Sequence, residues 1–275
     1  MDETKILICV VLFNQDIEDC NSYKTLLKGY NDVIVIDNST IDINNNRNIS
    51  DYNNWKYLRY PNNPGLSFAY NAAAKYAKEN GYNWMMLSDQ DTCFEKCIVD
   101  NYKSLCKTTN NIYLFCPRVI LSDKYLLSPV KLNHYFPKIS KNIIPGNIVI
   151  NPQKFAIINS GMLISIEAFY KVGGYNENVF LDFSDFQFIE KFGYYFDKVY
   201  VSDSICIQEF SNQVEDIGNK LNRFKLFCRS LKHFQCNKKR DKVLLYLVVL
   251  KRAISLSKQF KILSPYSIIL KEFFQ

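Results

Sequence analysis

The 275-residue chain has no apolar run long enough to cross a bilayer. Its longest, Ile6–Phe13 and Val243–Leu250, have eight residues each, against the roughly 20 that a spanning helix needs. It has no G-x-G-x-x-G and no G-K-[ST], which argues against a dinucleotide dehydrogenase and a P-loop NTPase. No G-x-S-x-G elbow occurs, so a serine hydrolase has little support. Histidine is scarce: His134 and His233 stand apart and match no metal-ligand spacing. The nine cysteines are odd in number and include no C-x-x-C pair. Cys93 and Cys97, four apart, fit two successive turns of one helix better than a zinc knuckle. The N-terminus reads Met-Asp-Glu-Thr-Lys, acidic and without a small-residue cleavage site. The expectation is no signal peptide, reduced thiols and a cytoplasmic location.

What is present is ordinary globular composition, 48% apolar and 22% charged, with 19 Tyr and 20 Phe to fill a large core. The net charge of +7 is unevenly spread. Residues 219–275 hold 14 Lys/Arg against only Asp241 and Glu272, a balance of +12, which leaves −5 for the rest. A boundary is therefore placed near residue 215, dividing a domain at 1–215 from a basic helical tail at 216–275. In the tail Leu221, Phe224, Phe227, Cys228, Leu231 and Phe234 recur at helical spacing, with Lys220, Arg223, Lys225, Arg229 and Lys232 between them. Such a helix can lie on an anionic membrane surface or pack on the main domain with a solvated basic face. Nucleic-acid binding is the weaker reading.

Along the first 120 residues short apolar strands alternate with helical stretches. The strands are read at Ile6–Phe13, 32–37, 55–59, 84–87 and 112–116, and the helices at 16–28, 68–78 (capped by Ser67) and 94–106. This pattern predicts an α/β fold with a mostly parallel sheet covered by helices. Residues 121–156 read as an irregular excursion, 157–165 as a strand with a central glycine, 166–172 as a helix, and 194–201 as the last strand. In parallel sheets ligands bind at the carboxyl ends of the strands. Asn14, Asp37, Asp89 and Asp91 all fall at expected strand ends.

Asp89-Gln90-Asp91 follows a buried run. Alternate residues of extended backbone point the same way, so both carboxylates can face one site. Mg²⁺ takes one or two carboxylates and completes its shell with substrate phosphate oxygens; the alternative is an acid pair capping the next helix. Asp37 ends a strand where α/β sheets grip a nucleotide ribose, or forms an Asx-turn. Asp182 and Asp185 stand three apart among aromatics. A carboxylate so placed can serve as a general base, or Asp182 or Ser184 can cap a helix.

In order and spacing these pieces resemble glycosyltransferase family 2, and within it the bacterial rhamnosyltransferase-like group. The resemblance covers about residues 5–210. It is carried by Val10-Val-Leu-Phe-Asn14, Val33-Ile-Val-Ile-Asp-Asn-Ser39, Asn63-Pro-Gly65 with Asn71, and Leu87-Ser-Asp-Gln-Asp-Thr92. Asn159-Ser-Gly161, Gly173-Gly-Tyr175 and Phe180-Leu-Asp-Phe-Ser-Asp185 complete it. The resemblance implies a GT-A fold, Rossmann-like, with a nucleotide half at about 1–120 and an acceptor half at about 121–215. It implies an inverting transfer of a sugar from a nucleotide diphosphate donor, dTDP- or UDP-linked, to a glycan or polyprenyl-linked acceptor in bacterial surface polysaccharide synthesis. Asn14, Asp37 and Asn63 would bind the donor, Asp89 and Asp91 would hold Mg²⁺ or Mn²⁺, and Asp185 would be the catalytic base. Gln187, Lys191 and Gln208 stand where relatives often carry an acid, an Arg and a His. Two other readings remain: a nucleotidyltransferase, disfavoured by the acidic, glycine-free Asn14-Gln-Asp-Ile-Glu18, and a non-catalytic carbohydrate- or membrane-binding relative.

Overall fold

Two neighbouring parallel strands are buried at every residue, β1 (Ile6–Leu12) and β2 (Val33–Asp37). Strands covered on both faces carry no polar alternation, which is why both read as continuous apolar runs. The computed structural model describes residues 4–43, 46, 49, 55–121, 125–133, 136–137, 143–208, 216–235 and 239–274. The helix expected over 16–28 is instead two 3-10 turns around the short α1 (Asn21–Thr25). Asp16 caps the first turn and Cys20 then leaves helical backbone, at φ −66 and ψ 137.

Next come β3 (Lys56–Arg59), α2 (Leu66–Glu79), β4 (Trp84–Asp89), β5 (Thr92–Cys93), α3 (Ile98–Thr108) and β6 (Leu114–Leu121). The stretch expected to be irregular holds short strands: β7 (Tyr125–Ser128), β8 (Val130–Asn133), β9 (Phe136–Pro137), β10 (Ile148–Ile150) and β11 (Phe155–Ala156). The domain finishes with β12 (Leu163–Ser165), α4 (Ile166–Val172), α5 (Ser184–Tyr195) and β13 (Val199–Gln208). The main sheet runs β10-β13-β6-β12-β4-β1-β2-β3, with β5 on β13 and β7 on β6; β11-β8-β9 form a second, small sheet. Strands β4, β1, β2 and β3 are mutually parallel, and β12 is antiparallel to β4 and β6.

Odd and even residues of the central strands face two separate cores. Leu7, Cys9 and Val11 pack with Ala69, Ala73 and Ala77 of α2 and with Phe169 of α4. Ile6, Ile8 and Val10 pack with Ile98, Val99 and Tyr102 of α3. The small residues on one face of α2 let that helix lie close on the sheet.

Several local expectations are corrected. Cys93 and Cys97 do not share a helix, because Cys93 is a strand residue paired with Ile207 and Cys97 precedes α3. Ser67 does not cap α2; it lies inside the helix and its hydroxyl donates to the Val179 carbonyl at 2.6 Å. Residues 157–162 are not strand. Asn159-Ser-Gly161 turns, with Gly161 at φ +77, and a Cβ there would stand 2.7 Å from Pro117. The last strand begins five residues later than expected, since Tyr194 and Tyr195 complete α5.

Beyond 209–215, which with the proposed boundary and His134 lie outside the described residues, the tail is three helices: α6 (Ile217–His233), α7 (Lys239–Phe260) and α8 (Ser264–Phe274). Phe224, Phe227, Cys228, Leu231 and Phe234 are buried with Leu245, Val249, Ala253 and Leu256 of α7, and Phe183 and Phe186 of the main domain pack against them. For α6 the packing reading holds: its apolar face is spent on the protein. Among the described residues no helix is long and apolar enough to cross a membrane.

Candidate active site

The register of the parallel strands places the first acids. Leu12 pairs with Asp37 and Val11 with Asp89, so the two acids end the strands on either side of β1, their backbones roughly 10 Å apart at about 4.8 Å per strand. Asp37 is buried. Its Oδ1 accepts the Ser39 N–H at 2.9 Å and its Oδ2 the Tyr57 hydroxyl at 2.6 Å. The first bond is the Asx-turn that the sequence offered as an alternative, formed at the strand end. Asn14, at φ 50, donates its N–H to Ser39 Oγ and accepts the Thr40 N–H on Oδ1 at 2.9 Å, tying the β1 and β2 ends together.

Asn63 sits in the following turn in left-handed backbone, φ 45, with its N–H on the Tyr60 carbonyl. That turn ends at Gly65, φ +98, where a Cβ would stand 2.6 Å from the Phe180 carbonyl oxygen. Leu66 N–H donates to that same oxygen at 2.9 Å, and the Asn38 side-chain amide donates to the Gly65 carbonyl. The Pro-Gly turn therefore joins the Asp37 end of the sheet to the segment that carries Asp182 and Asp185.

Asp89 is the last residue of β4. The hydroxyls of Tyr70 (3.1 Å) and Ser160 donate to its two oxygens. Burial raises its pKa and the two hydroxyls oppose that shift. Burial, then the Asp89 charge, push Asp91 up to about 6, while a Gln208 side-chain hydrogen bond works the other way. Gln90, between them, accepts the Phe13 N–H at 2.8 Å and braces the loop after β1. A partly buried carboxylate beside a second one whose pKa it raises suits a divalent cation, which supplies the missing positive charge. No third His, Cys, Asp or Glu completes a cluster among the described residues. The set then requires phosphate, water or amide oxygens for the rest of the shell, and the Gln208 amide is adjacent.

Asp185 lies in the first turn of α5, whose preceding residue Phe183 has φ 68 and makes no side-chain cap. Neither Asp182 nor Ser184 caps the helix: Asp182 pairs with Arg223 at 2.8 Å, and the Ser184 hydroxyl donates to the Leu181 carbonyl. Burial, with smaller contributions from Asp182 and Asp89, pushes Asp185 up to about 7; the Phe186 N–H on its Oδ1 at 2.8 Å opposes the shift. The aromatic packing between the two acid sites is continuous. Tyr70 meets Tyr175 at 5.2 Å, and Tyr175 stacks on Phe188 of α5 at 4.3 Å. Asn71 grips both the N–H and the carbonyl of Tyr175, which fixes the Gly173-Gly-Tyr175 turn.

The structure thus brings Asn14, Asp37, Asp89 and Asp91 to one sheet edge and ties Asp185 to it through aromatic packing. Asn63 contributes a turn conformation. The sequence assigns no role to Tyr57, Tyr70 or Ser160 (the last quoted only within Asn159-Ser-Gly161), because nothing local distinguishes a hydroxyl that will reach a distant carboxylate. Of the three departures, Gln187 is buried against Asn176 and Lys191 donates to the Gly174 carbonyl. Both support the turn beside the site. Gln208 alone reaches the acid pair.

Residues 20–166 match the family model described as Glycosyl transferase family 2. A curated relative, dTDP-rhamnosyl transferase RfbF of Shigella flexneri, is 28% identical over 191 residues, covering 66% of this chain and 61% of the relative. The structure of S. aureus TarS 1-349 in complex with UDP-GlcNAc is similar at TM-score 0.53 and 12% identity, over 98% of this chain and 79% of that one. The mannosyltransferase PcManGT of Pyrobaculum calidifontis, in complex with GDP-Man and Mn²⁺, is similar at TM-score 0.56 and 12% identity, over 97% and 79%. The fold is the GT-A fold, and with its family model matched over more than half its length, the chain belongs to glycosyl transferase family 2.

Proposed function

We propose that this protein is an inverting, metal-dependent sugar transferase. In this reading it moves rhamnose from dTDP-rhamnose to a hydroxyl of a glycan or polyprenyl-linked acceptor in bacterial O-antigen or capsule synthesis, at the cytoplasmic face of the plasma membrane. Residues 1–215 form its catalytic unit and 216–275 a helical appendage. One observation carries the reading most: a carboxyl raised to about 7, Asp185, stands across an aromatic core from the Asp89/Asp91 pair at the nucleotide edge of the sheet. The dTDP-rhamnose donor rests on the likeness to RfbF.

Asp37, with the loop held by Asn14 and Ser39 and the turn at Asn63, receives the nucleoside end. Asp89 and Asp91 would hold Mg²⁺ or Mn²⁺, which, when bound, neutralises charge building on the leaving diphosphate. Tyr70 and Ser160 keep Asp89 in one orientation, so that little reorganisation is needed as that charge develops. Asp185 takes the acceptor hydroxyl proton on Oδ2, its Oδ1 being held by Phe186. The acceptor oxygen bonds to the anomeric carbon as the bond to the diphosphate breaks, in one displacement that inverts the centre. A base with pKa near the working pH contributes typically ~10²–10⁴-fold.

The experiment is a transfer assay with dTDP-rhamnose, UDP-GlcNAc and GDP-mannose, the product anomer being read by NMR. Rhamnose transfer with inversion supports the proposal. Retention of configuration, or no turnover with any of the three across a broad acceptor panel, overturns it.

A further inference from the structure

The outer face of the C-terminal bundle carries a second apolar pattern, and we propose that it docks on the surface of an anionic lipid bilayer. Helix α7 has two apolar stripes. Leu245, Val249, Ala253 and Leu256 face inward and are buried. Val243, Leu247, Leu250 and Ile254 recur at i, i+4, i+7 and i+11, within an arc of roughly 60° centred about 130° round the helix from the buried stripe. They are 59%, 54%, 43% and 38% exposed. Helix α8 repeats the pattern: Leu263 just before it is 77% exposed, and Leu270 and Phe274 within it 60% and 77%. A helix of a water-facing bundle needs one apolar stripe, not two.

The charge around these stripes has one sign. Residues 242–271 contain six Lys/Arg and no acid. Lys251 and Lys258 flank the α7 stripe and, with Lys261 and Lys271, are exposed. Arg252 is turned inward, 4.3 Å above the Phe227 ring, and takes no part. Glu272, the one acid of α8, is engaged by Arg229 at 3.0 Å and Lys225 at 4.0 Å. An apolar stripe with Lys251 and Lys258 along one edge, and with no acid in residues 242–271, complements a leaflet with anionic headgroups over acyl chains. A second copy is the poorer occupant, because a two-fold pairing of this face would bring Lys251 and Lys258 against their own equivalents.

Docking would also orient the proposed site. The inner side of α6 holds the base-bearing segment: Phe183 meets the Phe227 ring at 5.4 Å, Arg223 pairs with Asp182 at 2.8 Å, and Ser230 accepts the Leu181 N–H. A bundle lying on the leaflet would therefore keep Asp185 near the membrane surface, where a lipid-linked hydroxyl is found. That orientation rests on the transferase reading; the docking does not.

The test is co-sedimentation of the full chain with vesicles of phosphatidylcholine alone and with phosphatidylglycerol added, in low and high salt, beside analytical ultracentrifugation without lipid. Binding should need the anionic lipid, weaken in salt, and fall by about fivefold per cation removed in Lys251→Gln/Lys258→Gln. It should fall at least as far in Leu247→Glu/Leu250→Glu, while transfer to a soluble acceptor is unchanged. The vesicle comparison on the unaltered chain needs no variant, so a folding defect cannot hide the answer. No binding, equal binding to neutral vesicles, or a lipid-free dimer that Leu247→Glu dissociates would each overturn the proposal.

Discussion

Replacing Asp185 by Asn should make the protein less active and more stable at once. The carboxyl is pushed from its ordinary 3.8 up to about 7, chiefly by burial. Between these values the folded chain holds a proton that the unfolded chain has released. Stability is therefore full below about pH 3.8 and is lost as pH rises through about 7. At about 1.4 kcal/mol per pH unit the gap corresponds to roughly 4 kcal/mol at full ionisation. Asp185 is only half-buried, and that partial solvent contact reduces this to about 2 kcal/mol. Asparagine keeps an oxygen for the Phe186 N–H and carries no charge, so at pH 8 the variant should melt several degrees higher, at roughly 2–4 °C per kcal/mol for a chain of this size. At pH 5 most of the difference should disappear. Transfer should fall by ~10²–10⁴-fold, or about 3–5 kcal/mol of transition-state stabilisation. In the unaltered protein kcat/KM should rise about tenfold per unit below pH 7 and level above it. Paired melting curves and initial rates between pH 5 and 8.5 read all of this. A variant retaining a substantial share of the activity, or a rate limb centred near pH 4, would refute the assignment of the base.

Other perturbations follow from the same contacts. Arg223→Ala should move the acid limb of the rate profile to higher pH, because Asp182 then bears on Asp185 without its guanidinium partner; an unmoved limb counts against that coupling. Gly65→Ala should lower the melting temperature, by a cost of more than about 1 kcal/mol, since φ is +98 and the new Cβ would meet the Phe180 carbonyl at 2.6 Å. Ser160→Ala should reduce kcat more than donor affinity, as Asp89 loses one of its two hydroxyl donors; equal affinity and rate losses would point to a donor-binding role instead.

The parallel half of the sheet was legible because burial on both faces leaves a plain signature, runs such as Ile6–Leu12 and Val33–Asp37 ending in polar residues. The convergence of Asn14, Asp37, Asp89 and Asp91 followed from strand ends alone. Local propensity misjudged the places where a distant partner decides. Thr92–Cys93 is strand because β13 runs beside it. Ser67 turns its hydroxyl to Val179 rather than to its own helix N-terminus. Asn159–Gly161 turns where Pro117 lies close. The tail's periodicity announced the apolar face of α6, but could not say whether the main domain or a membrane would cover it. That depended on Phe183 and Phe186, which belong to another part of the chain.

Asp89 and Asp91 are proposed to form a metal-assisted nucleotide diphosphate site. Calorimetric titration of the protein with dTDP and with UDP, each with Mn²⁺ and with EDTA, tests it most directly. The expected result is binding of dTDP in preference to UDP, lost in EDTA and lost in Asp91→Asn. Binding that is indifferent to EDTA and to Asp91→Asn, or no binding of either nucleotide by well-folded protein, would contradict it.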